Sequence, residues 1–307
     1  MRYYFAPLEG LTDSIYRTLH NKYFPGIDRY YTPFFSPTIH RNFTQKELRE
    51  LQPATAPDFE VVPQVLTRNA EDFLWMAQQC VDAGYGEQNL NLGCPSGTVT
   101  AKGKGAGLLR EPEALDKLLE DIFSASPIPV SVKTRIGYAQ AEEFACLLDI
   151  FNRYPIKELT IHPRTRTAFY NADVDMDTFR YAAQNSKNSL CYNGNLCSRE
   201  HISDFAEKFP SIDAVMLERG LIGDPGMLSP GGTDIHTLEH FHDELLSAYT
   251  QAFGSSRNAM FRMKENWHYL IARFPGCEKL YKRLRKTTDV GEFLSITQDI
   301  FHTTPSL

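Results

Sequence analysis

The chain has 307 residues, enough for one large domain or two ordinary ones, with 42% hydrophobic and 23% charged residues. That balance builds a sizeable core and excludes disordered, collagen-like and disulfide-stapled chains. The net charge of −6 argues against a chain that is basic throughout, and is silent about local patches. Six cysteines (80, 94, 146, 191, 197 and 277) form no CxxC pair, so reduced thiols and a cytoplasmic location are expected. The longest apolar runs, such as Ile128–Val132, fall far short of a membrane span. Met1–Phe5 does not open a signal-peptide apolar region, and no membrane partner is expected.

Short apolar runs recur along the first part of the chain: Tyr3–Ala6, Arg29–Tyr31, Val61–Val65, Gln88–Leu90, Pro129–Lys133, Leu159–His162, Leu190–Asn193 and Ala214–Leu217. Between most of them lie segments with apolar residues three and four apart, which predicts helices over Ala70–Val81, Pro112–Phe123, Glu142–Phe151, Asp177–Ala183 and Arg199–Phe209. Asn69 is placed to cap the first of these, and Pro112 sits at a first-turn position. Eight strands alternating with helices fit a (β/α)8 TIM barrel. An open doubly wound sheet would instead carry a glycine fingerprint after its first strand, where this chain reads Pro7-Leu8-Glu9-Gly10. Ser229–Thr233 reads as a linker, and helical patterns follow over His236–Phe253, Asn258–Phe274, Cys277–Thr287 and Gly291–Phe301. The division is therefore a barrel over 1–232 and a small all-helical domain over 233–307.

In such a barrel the chemistry lies at the carboxyl ends of the strands. Those ends carry Pro7, Leu8 and Glu9, then Gln64, Asn91 and Cys94, Lys133 and Arg135, His162 and Arg164, Asn193-Gly194-Asn195, and Glu218-Arg219-Gly220. A cysteine, a lysine, a histidine and arginines converging on one mouth predict a catalytic site. The last two loops are the usual phosphate site of this fold; Gly194 and Gly220 let backbone N–H groups approach an anion, with Arg219 beside them. Lys133 would then face the reactive part of a phosphorylated cofactor, where a cation stabilises charge on a reduced flavin. Asn89–Arg110 holds four glycines between Gly97 and Gly107, interleaved with Lys102 and Lys104, and matches neither GxGxxG nor a Walker loop. It reads as a mobile lid with Cys94 at its base, placed to act as nucleophile or proton donor.

Taken together, Ala6-Pro7-Leu8-Glu9-Gly10-Leu11-Thr12-Asp13, Asn91-Leu92-Gly93-Cys94-Pro95, Lys133-Thr134-Arg135-Ile136-Gly137, Ile161-His162-Pro163-Arg164-Thr165-Arg166 and Asn193-Gly194-Asn195 resemble the tRNA-dihydrouridine synthase family over essentially the whole chain. The resemblance implies an FMN in the barrel mouth, reduced by NADPH or NADH, that passes hydride to C6 of a uracil while a cysteine protonates C5. It makes Cys94 the general acid and places Asn91 on the uracil. Pro7, Leu8, Glu9, Gln64, Lys133, His162, Asn193, Gly194, Asn195, Glu218, Arg219 and Gly220 fall at flavin positions, and Arg135, Arg164 and Arg166 near the substrate. Leu8, Pro163 and Glu218 stand where methionine, glycine and glycine are common in the family. A thiol with an ordinary pKa of roughly 8.5 is protonated at neutral pH, as such an acid must be.

Residues 257–286 carry nine Lys and Arg against two acidic residues, a local +7 that leaves the rest of the chain at −13. Lys279, Lys282, Arg283 and Lys286 share one helix face, which suits a phosphate backbone, and Lys102 and Lys104 are further RNA contacts. His236-Thr237-Leu238-Glu239-His240 matches the inverted zinc-protease pattern, with His242 nearby, but lacks a convincing third ligand, and no metal is expected. The reading is thus a monomeric FMN-dependent dihydrouridine synthase acting on tRNA. Ribosomal RNA, or a free pyrimidine or enone, are the alternative substrates, and a non-catalytic RNA-binding protein is the third class.

Overall fold

The computed structural model describes residues 1–51 and 59–303. The chain divides into two compact units, of which the first holds Met1–Pro7, Asp28–Asn195 and Ser203–Leu217. Its strands are β1 (Arg2–Phe5), β2 (Arg29–Tyr31), β3 (Glu60–Val62), β4 (Gln64–Val65), β5 (Gln88–Leu92), β6 (Val130–Arg135), β7 (Leu159–His162), β8 (Leu190–Tyr192) and β9 (Ala214–Leu217). All pair in parallel in the order β3-β2-β1-β9-β8-β7-β6-β5-β4. The two ends of that order, β3 and β4, are halves of one strand interrupted at Pro63, so the sheet closes into the expected barrel. Proline has no N–H for the ladder. The seam is repaired around it: the Thr32 hydroxyl accepts the Gln64 N–H at 3.0 Å, and the Pro63 carbonyl accepts the Asn89 N–H at 2.9 Å.

Between the strands lie α2 (Gln45–Leu51), α3 (Ala70–Asp82), α4 (Gly97–Thr100), α5 (Pro112–Ala125), α6 (Glu143–Phe151), α7 (Met176–Asn185) and α8 (Arg199–Lys208). Asn69 caps α3 through the Asp72 N–H at 3.1 Å, and Pro112 opens α5. Side chains fill the barrel as layers, with Tyr4, Ala6, Tyr31, Val62, Cys191, Ala214 and Met216 in mutual contact. At the amino ends of the strands Glu87 and Glu158 are enclosed around Arg29, whose guanidinium lies 3.4 and 3.7 Å from them. Burial pushes the Glu158 carboxyl up, against the pull of Arg29 and of the Tyr4 hydroxyl that donates to it at 3.0 Å.

The second unit comprises Leu8–Ile27, Leu196–Ile202 and the chain from Glu218 onward, so it takes in three segments the sequence assigns to the barrel. It contains α1 (Ser14–Tyr23), α9 (Arg219–Gly223), α10 (Ile235–Phe253), α11 (Ser256–Leu270), α12 (Glu278–Lys286) and α13 (Val290–Thr303). Helix α1 packs on α10, and α10 on α11. The helix α1 escapes a hydrophobic-pattern reading because its buried face is Tyr16, Arg17, Leu19 and His20. Complete burial lowers the His20 imidazole to about 3 and keeps it neutral. The core of the unit is built on Trp267, whose indole N–H donates to His242 Nε2 at 3.1 Å. The imidazole is a satisfied core group, because its Nδ1 meets Asp243 at 2.9 Å. Among the described residues no helix is long and apolar enough to cross a membrane.

Asp13 joins two of these helices. Its Oδ1 accepts the Tyr16 N–H as the cap of α1 and the buried Tyr249 hydroxyl of α10, each at 3.0 Å. Asp13→Ala therefore loses a cap and strands a buried hydroxyl, and is expected to lower unfolding free energy by about 2 kcal/mol in urea titrations. Tyr249→Phe should cost less in that background than in the wild type, a coupling read from the double-mutant cycle.

Candidate active site

Period-two alternation turns Asn89 and Asn91 of β5 to one face, and Ser131, Lys133 and Arg135 of β6 to the matching face. The register sets Asn91 opposite Lys133, and Arg135 opposite His162. Just past β5 the buried Asn91 carboxamide oxygen accepts the N–H of Gly93 at 3.0 Å and of Cys94 at 2.9 Å, which fixes the turn carrying the thiol. Cys94 is half-buried there. The other cysteines of this unit differ: burial pushes Cys80 up to about 12 and Cys191 well above its usual range, and Cys146 is exposed on α6.

The glycine-rich segment is packed, where the sequence predicts a mobile lid. It forms α4 and a 3-10 helix over Gly105–Arg110, with Gly105–Leu109 buried. Gly105 has φ +56°, and a Cβ there would lie 2.9 Å from the Cys94 carbonyl oxygen; at Gly107 it would lie 2.6 Å from that of Thr100. Gly105 thus serves close approach of this cap to the cysteine turn, and Gly107 close approach to α4 within the cap. Ala106 also donates its N–H to the Cys94 carbonyl at 3.1 Å. Lys104 reaches the Ser36 hydroxyl at 3.1 Å, while Lys102 is exposed.

Arg135 is only 1% exposed, and its guanidinium donates to the carbonyls of Gly93 at 3.0 Å and of Thr165 and Phe169 at 2.8 Å. It clamps the loop after β5 to the loop after β7. His162 and Arg164 are buried side by side, 3.0 Å apart, and Arg164 also donates to the Ala172 carbonyl at 2.6 Å. Arg166 lies over the rings of Tyr138 and Phe169 and donates to the Thr100 hydroxyl at 3.2 Å. Sequence reasoning missed Phe169 and Tyr170, two exposed rings over Arg166 and Arg135, with Phe169 at φ +50°. A bulky residue there is a backbone outlier. Two adjacent aromatics in an Arg-Thr loop straight after a strand were the available signal.

After β8, Asn193 donates to the Met216 carbonyl at 2.9 Å, while its own carboxamide oxygen is buried without a hydrogen-bond partner among the described residues. Gly194 is dictated by packing, since a Cβ would lie 2.9 Å from the Tyr192 hydroxyl and from Val174. Asn195 is exposed at φ +45°. The chemistry of these groups fits a flavin, with an ammonium at Lys133 and a buried acceptor at Asn193 that lacks a partner among the described residues. Pro7, half-buried, lies two residues past β1.

The second unit holds the remaining predicted residues. Leu8 is half-buried and Glu9 exposed. Glu218 precedes α9, and a Cβ on Gly220 would lie 2.8 Å from the Leu196 carbonyl oxygen, so this glycine too answers to a neighbouring backbone. Lys279, Lys282, Arg283 and Lys286 are exposed on α12, opposite the buried Leu284; Arg283 pairs with Glu292 at 3.4 Å. Lys264 donates to the carbonyls of Arg285 and Thr287 at the end of that helix, and burial lowers its ammonium. His236 and His240 are exposed while His242 is spent on Trp267; among the described residues no group of three or more His, Cys, Asp or Glu is arranged to hold a metal.

A family model described as dihydrouridine synthase (Dus) matches residues 4–289. The probable tRNA-dihydrouridine synthase 1 of Synechocystis is 26% identical over 305 residues, covering 94% of this chain and 82% of its own. A probable tRNA-dihydrouridine synthase of Staphylococcus aureus is 29% identical over 301 residues, covering 94% of this chain and 89% of its own. Among solved structures, morphinone reductase superposes with a TM-score of 0.51 at 11% identity, over 77% of this chain and 88% of its own, a likeness of barrel fold.

Gly105→Ala is expected to displace the Cys94 turn, through strain at positive φ and a Cβ against the Cys94 carbonyl. A loss of about 2 kcal/mol in unfolding free energy, with a changed rate of Cys94 alkylation in peptide mapping, is the checkable outcome.

Proposed function

The chain belongs to the dihydrouridine synthase family, and we propose that it reduces a uridine of tRNA to 5,6-dihydrouridine with FMN and NADPH or NADH. The observation that carries this reading is the seat of Cys94, a half-buried thiol on a turn fixed by Asn91 at the strand ends, one strand from Lys133. Bound FMN, reduced by the nicotinamide, supplies the hydride for C6 of the uracil. Cys94 gives its thiol proton to C5 as the C5–C6 double bond is lost, and the thiolate regains a proton from solvent. Asn91 has its oxygen committed to the turn, so it meets the uracil with its N–H2 group.

Gln64, Lys133, His162, Pro7 and Asn193-Gly194-Asn195 of the first unit hold the flavin in this reading; Leu8, Glu9, Glu218, Arg219 and Gly220 of the second unit stand at the flavin positions that the family resemblance implies. Arg164 and Arg166 serve the substrate side, and Arg135 serves it through the two loops it clamps. A base within folded RNA has to leave its stack to reach such a site. The exposed cations of α12, with Lys102, fit the phosphate backbone that such docking requires. A monomer working in the cytoplasm, where tRNA and reduced nicotinamide meet, completes the proposal.

Purified enzyme that releases FMN on denaturation, together with loss of one dihydrouridine from tRNA in a deletion strain, is the expected result; a colourless protein that does not take up FMN would overturn it. Cys94→Ala should keep the flavin spectrum and lower turnover by at least about 100-fold. Replacing Lys279, Lys282, Arg283 and Lys286 with glutamine should reduce the slope of log K against log salt for tRNA by about three. An unchanged slope would move the RNA elsewhere.

A further inference from the structure

One connected line of buried polar side chains in the first unit leads from Asn91 and Gln64 of the proposed site to Ser131 and Glu87, which have no part in the chemistry above. Asn91 Nδ2 donates to Gln64 Oε1 at 2.7 Å, and Gln64 Nε2 to Asn89 Oδ1 at 2.8 Å. Asn89 Nδ2 donates to the Ser131 hydroxyl at 2.9 Å, which donates to Glu87 Oε1 at 2.5 Å. The other Glu87 oxygen lies 2.6 Å from the Lys157 ammonium and 3.4 Å from the Arg29 guanidinium. Gln64, Asn89, Ser131 and Glu87 are at most 1% exposed.

The two ends of this chain admit one polarity. The main-chain N–H groups of Gly93 and Cys94 can only donate, and a carboxylate can only accept. Each side chain between them can be satisfied in one orientation, with every donor pointing toward Glu87. An amide turned over anywhere along the line would set N–H2 against N–H, or oxygen against oxygen, where no water can relieve it. Asn91 by itself could turn its amide over; tied through Gln64, Asn89 and Ser131 to a carboxylate that faces Lys157 and Arg29, it cannot.

We propose that Glu87 is a positioning residue for Cys94, acting through Ser131, Asn89, Gln64 and Asn91 to fix the turn that carries the thiol. Its effect on turnover rests on the reading of Cys94 as proton donor, while its effect on the turn does not. Ser131→Ala cuts the line and leaves Glu87 with both its cations. The measurement on the purified holoenzyme is iodoacetamide labelling of Cys94 against the exposed Cys146 as internal reference, with kcat and KM on tRNA.

The expected result is a shift in the Cys94-to-Cys146 labelling ratio of roughly tenfold, the equilibrium weight of one lost buried hydrogen bond, and a fall in kcat with little change in KM. Ser131→Thr, which keeps the hydroxyl, should restore both. Glu87→Gln, which can offer N–H2 to Ser131, should shift the ratio in the same sense. A wild-type labelling ratio in Ser131→Ala overturns the relay. A shifted ratio with unchanged turnover upholds the relay and removes Cys94 as the acid, and Cys94→Ala with full turnover would remove the acid alone.

Discussion

A parallel sheet whose two outer pairings are made by halves of one strand closes on itself, and a polar side chain turned inward is satisfied only by a partner inside. That constraint divides the interior of the first unit. One arc, from Tyr4 and Tyr31 to Cys191 and Met216, is apolar contact. The other, from Glu87 to Asn91, is hydrogen-bonded side chain to side chain, and its final acceptor is spent on the main chain of Cys94. The polar arc can be this long because its members alternate between adjoining strands, Gln64 against Asn89 and Asn89 against Ser131, in the same register that sets the backbone ladder. Satisfying buried amides and placing a thiol are here one problem with one solution.

Above the strands the same economy governs the loops. Arg135 brings a charge into a buried place and distributes it over three carbonyls, and in doing so makes the loops after β5 and β7 a single body. The glycine-rich cap closes on that body from the other side, with Gly105 and Gly107 allowing backbone to meet backbone. What surrounds Cys94 is therefore fastened by Asn91, by Arg135 and by the close approach at Gly105.

Much of this was legible from residues alone. The strands Arg29–Tyr31, Leu159–His162 and Ala214–Leu217 stand where their apolar runs put them, because buried parallel strands are continuous apolar runs between turn signals. Helix α1 was hidden by a buried face made of Tyr, Arg and His, which periodicity counts as polar. The glycines between Gly97 and Gly107 suggest looseness until their neighbours are known, since the same residue serves flexibility and close packing. Glu87 and Ser131 carried no signal at all: they are forty-odd positions apart in the sequence, and only the pairing of β5 with β6 makes them partners.

The seam at Pro63 has a further consequence. Beside main-chain links such as Thr32 N–H to Val62 and Asn89 N–H to Pro63, the Gln64 main-chain N–H is held there by a threonine hydroxyl. A side chain can rotate away where a peptide carbonyl cannot, so that one N–H can be released without unwinding a strand. Deuterium should enter at that amide ahead of its neighbours in the strand.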